Sequence, residues 1–148
     1  MILLLQRVSR AAVRVAGGTV GEIGPGLLVL ACVEPGDRPE AADEAARKTV
    51  ELRVFEDEAG KMNRDVAQAR GAVLAVSQFT LGADLSRGRR PGFEGAARGD
   101  EARPLFDRYV AGVRAAGVPV ATGAFGERME VELVNDGPAT FHWRTARR

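Results

Sequence analysis

Leu27–Val33 is an uninterrupted apolar run that follows the turn signal Gly24-Pro25-Gly26. A short continuous apolar run beside a turn reads as a central β-strand, around which the rest of the chain must be arranged. Two extended, β-branched and apolar segments, Ile2–Arg10 and Ala11–Val15, precede it, and Gly17-Gly18 signals a hairpin into Thr19–Ile23. Ala72–Phe79 is the second strong strand. Met129, Val131 and Leu133 alternate with Glu130 and Glu132, the period-two pattern of a half-exposed strand. Asn135-Asp136-Gly137-Pro138 is expected to break that strand, and Ala139–Trp143 to resume extended structure.

Two segments switch to a helical period. Asp37 and Glu40 form a candidate capping pair with Pro39 in the first turn. The stretch that follows, to about Leu52, keeps Ala42, Ala46 and Val50 on one face. Asp100 is expected to cap a second helix running to about Ala116, burying Leu105, Tyr109 and Val113, with Gly117 ending it. Pro104 is tolerable if it falls in the first turn, where amide donors lack helical partners. Between strand and helix, Leu81–Gly99 contains five glycines and no periodicity, so it is expected to be a long loop. Such loops in compact proteins are usually functional. Six or seven strands with two helices predict an α+β fold with a largely antiparallel sheet. No linker or internal repeat marks a second domain, so residues 1–148 are expected to form one.

The chain's 148 residues suit one domain that buries roughly two thirds of its unfolded surface. Hydrophobic residues at 45% and charged residues at 28% fit a soluble globular protein. No apolar run approaches the ~20 residues of a membrane span. Ile2–Leu5 is too short for a signal-peptide core, and a cytoplasmic location is the expectation. The single cysteine, Cys32, lies in the apolar run and is expected to be buried. With His142 as the sole histidine, a Cys/His zinc site is out of reach, and no metal or cofactor is expected. Neither G-x-x-x-x-G-K-[ST] nor G-x-G-x-x-G occurs.

Charge is uneven. Residues 34–66 carry ten acidic and six basic side chains, net −4, within a chain of net charge +1, so the remainder sums to +5. Arg87, Arg89 and Arg90 form a basic loop that either meets phosphates or is a solvated turn.

Two segments place polar groups at the end of an apolar strand. In Ser77-Gln78-Phe79-Thr80-Leu81, alternation puts Ser77, Phe79 and Leu81 on one face and Gln78 with Thr80 on the other, if the strand stays regular. The hydroxyls either serve chemistry or satisfy loose backbone groups. A hydroxyl nucleophile needs an adjacent base. His142 shares its strand with Phe141 and Trp143, and the two lysines, Lys48 and Lys61, lie far from the motif in sequence. A site of backbone amides and positioned hydroxyls that stabilises an oxyanion is the more economical reading. In Asn135-Asp136-Gly137-Pro138-Ala139-Thr140, the Gly-Pro step is either an ordinary turn or a special backbone geometry.

Together, S-Q-x-T-L and N-x-G-P-x-T resemble the paired signatures of the D-aminoacyl-tRNA deacylases. The similarity extends through Gln6-Arg7-Val8, Gly26–Leu30, Gly60-Lys61-Met62-Asn63, Arg90-Pro91-x-Phe93 and Thr122-Gly123-x-Phe125-Gly126. Gly92, where serine is expected, and Ala31-Cys32, where the family often has a glycine, depart from the pattern without touching either signature. Arg144, Arg147 and Arg148 carry no family inference.

The resemblance implies a partial barrel and a homodimer with active sites at the subunit interface. Ser77, Gln78, Phe79 and Thr80 would be catalytic. Gly137 and Pro138, joined by a cis bond and inserted into the partner's pocket, would select chirality, with Phe125, Met129 and Leu81 binding substrate. The implied partner is aminoacyl-tRNA, touched by Arg87, Arg89 and Arg90, with no DNA and no membrane. The implied reaction is hydrolysis of the ester of D-aminoacyl-tRNA, and of glycyl-tRNA mischarged on alanine tRNA, as chiral proofreading in translation quality control. The terminal ribose hydroxyl would activate water, with Thr80 as covalent nucleophile the lesser alternative. Three readings compete. A deacylase for L-alanyl or other misacylated tRNA would resemble P-Q-x-T-L, against Ser77. A non-catalytic RNA-binding module would not need both signatures, and a metal hydrolase lacks ligands.

Overall fold

The computed structural model describes residues 1–146; Arg147 and Arg148 lie outside the described residues. The elements run β1 (Ile2–Val15), β2 (Gly18–Ile23), β3 (Gly26–Cys32), α1 (Pro39–Glu51), β4 (Phe55–Glu56), β5 (Met62–Arg64), β6 (Ala72–Ser77), α2 (Gly99–Ala115), β7 (Val120–Thr122) and β8 (Glu130–Arg144). A 3-10 turn, Phe79–Gly82, follows β6. β1 pairs antiparallel with β2, β3 and β8, whereas β6 lies parallel to both β3 and β7. The sheet is therefore mixed, antiparallel around β1 and parallel at its far side, and nearly closes as a barrel. The fold is α+β with two helices. None of its described helices is long and apolar enough to cross a membrane.

Alternation along the central strands explains the layers. Leu27, Val29 and Ala31 of β3 and Val73 and Ala75 of β6 face a core shared with α1 and α2. Leu28, Leu74 and Val76 point the other way, into a second cluster with Val8, Val13, Met129, Val131 and Leu133. Both faces of β3 and β6 are thus buried, which is why Leu27–Val33 reads as an unbroken apolar run. Cys32 is buried at its end.

In the main core, α1 contributes Ala42, Ala45 and Ala46, and α2 contributes Phe106, Tyr109, Val110 and Val113. Thr49 spends its hydroxyl proton on the Ala45 carbonyl at 2.9 Å, so the fully buried Tyr109 hydroxyl must donate to Thr49 at 3.0 Å. Burial raises the Tyr109 phenol pKa above its ordinary value, which keeps that donor protonated.

Several sequence-based expectations change. Asp37 does not cap α1: Arg38 is the N-cap residue without a side-chain bond, while Asp37 accepts hydrogen bonds from the Glu34 amide and the Met1 ammonium. Asp100 does not cap α2 either, since the helix begins at Gly99 with Arg98, two residues earlier, at the cap. Pro104 consequently lies inside the helix, beyond the first turn, where the exposed Asp100 carbonyl loses a donor and can turn to water. Leu105 is only partly buried, and Phe106 takes the core position. The two N-terminal extended segments form one strand. The hairpin turn centres on Ala16 and Gly17, both at positive φ (49° and 82°), rather than on Gly17-Gly18. The short strands β4, β5 and β7 carry too few residues to show a period. Nor is β8 interrupted at Asn135–Pro138: it continues through a bulge.

Barrel closure depends on Gly21 of β2, because a Cβ there would stand 2.2 Å from the Thr122 carbonyl oxygen of β7. Gly18, in the same strand, has nothing nearer than 3.6 Å. Gly21→Ala is expected to destabilise by about 1–3 kcal/mol through overpacking. Gly18→Ala is expected to stay within roughly 0.5 kcal/mol of the parent, as an open surface site. Urea unfolding of the two variants checks the difference.

Candidate active site

The end of β6 turns where an apolar strand meets polar residues. The Gln78 amide still donates to the Ala31 carbonyl of β3 at 2.8 Å. Immediately beyond, the chain leaves the extended conformation for the 3-10 turn, closed by the Leu81 amide on the Gln78 carbonyl at 3.3 Å. The expected alternation of Ser77, Phe79 and Leu81 against Gln78 and Thr80 is therefore lost after Ser77. Instead, Gln78 Nε2 donates to Thr80 Oγ1 at 2.5 Å, drawing the two side chains together. Like the first amides of any helical turn, those of Phe79 and Thr80 have no carbonyl partner within the turn itself.

The turn is held from behind. Gly82 and Gly95 meet backbone to backbone, and a Cβ on Gly82 would lie 2.6 Å from the Gly95 carbonyl oxygen. The Ala97 amide bonds the Val33 carbonyl, and Asp84 and Gly92 pair through a β-bridge. The glycine-rich loop is thus ordered by backbone contacts that a periodicity argument does not detect. Arg87, Arg89 and Arg90 stand exposed at its tip.

Beside the turn lies a cavity of about 460 Å³. Ser77, Gln78 and Phe79 line one wall, and Phe125 and Met129 another, so the structure brings together five of the sequence-predicted residues. Leu81 and Thr80 belong to the turn but do not line the cavity. Phe93 packs edge-on against the exposed Phe79, with ring centroids 5.2 Å apart. Phe125 rests on Phe106 at 5.9 Å, with the Arg103 guanidinium 5.7 Å from its ring centre. Cys32 also lines the pocket; burial pushes its thiol pKa up, away from a reactive thiolate. His142 of β8 pairs with Leu4 of β1, three strands from β6 in the sheet order, and does not line the pocket.

The second signature is elsewhere. The β1–β8 register passes from Gln6↔Thr140 directly to Val8↔Asn135, so residues 136–139 bulge opposite Arg7. The Gly137-Pro138 bond is cis. Arg7, 5% exposed, donates from Nε to the Asp136 carbonyl at 3.0 Å and from Nη1 to the Val54 carbonyl at 2.7 Å. It also pairs with the Asp136 carboxylate at 3.4 Å. Gly137 sits at φ 138°, and a Cβ there would approach Arg7 Nη2 to 3.0 Å. The register puts Ser77 level with Leu3, four rungs from Arg7, and three strands from β8. At ~3.3 Å per rung and ~4.8 Å per strand, that is on the order of 20 Å along the sheet. Neither Gly137 nor Pro138 is among the residues that line the cavity beside Ser77. Sequence reasoning gives Arg7 no role of its own, although a lone arginine within Ile2–Val8 is a visible signal. Phe93 enters that reasoning only as part of a motif.

A family described as D-Tyr-tRNA(Tyr) deacylase matches residues 4–144. The chain belongs to that family. It is 60% identical over 137 residues to the D-aminoacyl-tRNA deacylase of Symbiobacterium thermophilum, spanning 93% of this chain and 91% of that one. It is 53% identical over 148 residues to the D-aminoacyl-tRNA deacylase of Paracoccus denitrificans, spanning 100% and 99%. Among solved structures, the c-Myc DNA unwinding element binding protein superposes with a TM-score of 0.94 at 34% identity, covering 99% of this chain and 100% of that one. A probable eukaryotic D-amino acid tRNA deacylase shares the fold, with a TM-score of 0.85 at 20% identity over 97% and 98% of the two chains. Membership makes the chain a hydrolase of the D-aminoacyl-tRNA deacylase type.

Proposed function

We propose that this protein hydrolyses the ester joining a D-amino acid to the terminal ribose of tRNA and spares the L-substrate. The supporting observation is the separation of two parts. An apolar pocket is lined by Ser77, Gln78 and Phe79, beside the turn that begins at Phe79 and Thr80. The exposed Gly137-Pro138 turn, pinned by Arg7, does not line it. A second copy would supply the turn to each pocket, making the enzyme a homodimer with two interfacial sites.

In that arrangement the amides of Phe79 and Thr80 stabilise the oxyanion formed as water attacks the ester carbonyl. With the imidazole of His142 three strands away, the substrate's own ribose hydroxyl activates the water, and Thr80, fixed by Gln78, positions groups. The carbonyl oxygens of Gly137 and Pro138 grip the α-ammonium of the amino acid. An L side chain is then driven into backbone, whereas a D side chain points outward. Glycine has no side chain to collide, so glycyl-tRNA passes the same filter. The cytoplasm, where tRNA is charged, is the proposed location.

The direct test is deacylation of paired D- and L-tyrosyl-tRNA by the purified protein. Rapid loss of the D ester with a stable L ester is expected, and equal rates on both would refute the reading. In the same assay Thr80→Ala should cost about 10–10³-fold, the range for removing a polar group that stabilises charge. Near-complete loss would instead make Thr80 the nucleophile.

The two-chain site has its own test. Gly137→Ala damages the turn and Thr80→Ala the pocket, so each homodimer is impaired. A mixed dimer retains one site with an intact pocket and an intact partner turn. Co-expression is expected to restore about half the wild-type activity per mixed dimer, and no restoration would place both parts in one chain.

Arg87, Arg89 and Arg90 are proposed to bind tRNA phosphates beside the pocket. Each phosphate neutralised adds roughly 0.7–0.9 to the slope of log affinity against log salt. Replacing all three with alanine should therefore weaken binding and flatten that slope by about 2–3. An unchanged slope would leave the loop as a solvated turn.

A further inference from the structure

The N-x-G-P-x-T signature contains two polar residues, Asn135 and Thr140, that the proposed reaction does not use. They flank the bulge, and the structure gives them a connected set of bonds. Asn135 Oδ1 accepts from the Ala139 amide at 3.0 Å. Asn135 Nδ2 donates to the Ala139 carbonyl at 3.2 Å and to Thr140 Oγ1 at 3.2 Å. Gln6 Nε2, from β1, donates to the same Thr140 hydroxyl at 3.2 Å.

The carboxamide of Asn135 therefore stands in for a strand partner. It meets the amide and the carbonyl of Ala139 together, as a neighbouring peptide group would in an antiparallel pair. Both amide protons and the oxygen of the side chain are engaged. The orientation is fixed by its partners, since a flipped amide would set NH₂ against the Ala139 N–H. On the other side of the bulge, Arg7 holds the Asp136 carbonyl at 3.0 Å. The exposed residues 136–138 are consequently clamped at both stems. Ala139 is buried at 3% exposure, while Asp136, Gly137 and Pro138 are exposed. Little apolar packing can hold the tip, so directional bonds must do it.

We infer that Asn135 is a positioning residue for chiral selection. It fixes the closing stem of the turn and thereby the direction in which the Gly137 and Pro138 carbonyls point. This rests on the reading that those carbonyls grip the substrate's ammonium in a partner's pocket. A rejection mechanism that reads backbone position needs the backbone held to a fraction of an ångström. Arg7 fixes one stem only; without the Asn135 carboxamide the Ala139 stem can pivot about it. Thr140, bridged to Gln6, ties the carboxamide to β1 and limits that pivot further.

The test measures rates on D- and L-tyrosyl-tRNA for Asn135→Ala, Asn135→Asp and Gln6→Ala, with melting temperature and sedimentation alongside. Displacement by about 1 Å costs on the order of 10²-fold in rate. Asn135→Ala is therefore expected to lose about that much D activity, with the D-to-L ratio falling too. Asn135→Asp keeps the acceptor for the Ala139 amide but loses both donors, and should fall between. Gln6→Ala removes only the outermost bond and should have the smallest effect. The ratio is decisive, because a merely structural loss lowers the folded fraction and leaves enantiomer preference untouched. A wild-type rate and ratio in Asn135→Ala, or a lowered rate with an unchanged ratio, overturns the assignment. If the wild-type protein hydrolyses neither ester, the functional reading fails and this inference falls with it. Wild-type activity with an unaffected Asn135→Ala variant overturns the inference alone.

Discussion

The antiparallel pairing of β1 with β8 carries both the architecture and the turn. It begins at Ile2↔Arg144 and ends at Arg14↔Glu130, so the two ends of the chain sequence form neighbouring strands. At one end Arg144 pairs with the buried Glu34, and at the other Glu132 bridges Arg10 and Arg14 at 2.5 and 2.7 Å. The latter two pairs are exposed and contribute little to stability. The backbone ladder is what fixes register, and register decides everything that follows. Two irregularities in it, on either side of Val8, let the same strand face different cores. Leu3 and Leu5 serve the helical layer, while Val8 and Val13 serve the barrel interior. The bulge opposite Arg7 is thus part of how the sheet curls as well as the place where the turn emerges.

That origin explains why Arg7 is buried. An arginine within an apolar strand is costly unless its donors are met. Here they reach the Val54 and Asp136 carbonyls and lie near the carboxylates of Asp136 and Glu56. The cost is offset by groups belonging to the turn itself, so displacing the turn would strand the guanidinium. Core and turn are coupled through one side chain. Gly137 completes the coupling, since the guanidinium occupies the space a side chain would need.

How much of this the sequence disclosed depended on the kind of interaction. Strands β3 and β6 were legible because burial on both faces leaves unbroken apolar runs. The half-exposed start of β8 was legible because Glu130 and Glu132 alternate with apolar neighbours. The helix caps were not, because Asp37 is engaged by the Glu34 amide and Asp100 falls inside the first turn. The continuity of β8 was hidden for a related reason. Asn-Asp-Gly-Pro is a turn signal in isolation, and only the β1 partner keeps the strand in register across it. In the site, the two signatures named Ser77, Gln78 and Phe79 of the pocket wall and the residues of the Gly137-Pro138 turn. They did not reveal that Ser77–Leu81 leaves the strand after Ser77, because a 3-10 turn set by backbone packing against Gly95 has no side-chain period.

The division of labour between the two signatures follows from what each must tolerate. The pocket wall of Phe79, Phe125 and Met129 is apolar, and Phe125 and Met129 also pack against the two cores, so under the proposed reading it would present shape and a dry setting for ester hydrolysis. The turn cannot borrow that support, since Asp136, Gly137 and Pro138 are exposed. Its definition has to come from directional bonds that survive exposure: a guanidinium on one stem, a carboxamide on the other, and a glycine that leaves room for both. If the turn acts as the proposed filter, it would read the position of the α-carbon and be indifferent to the side chain's chemistry. Under the proposed reading, breadth across D-amino acids and strictness against L-amino acids would follow from the same backbone.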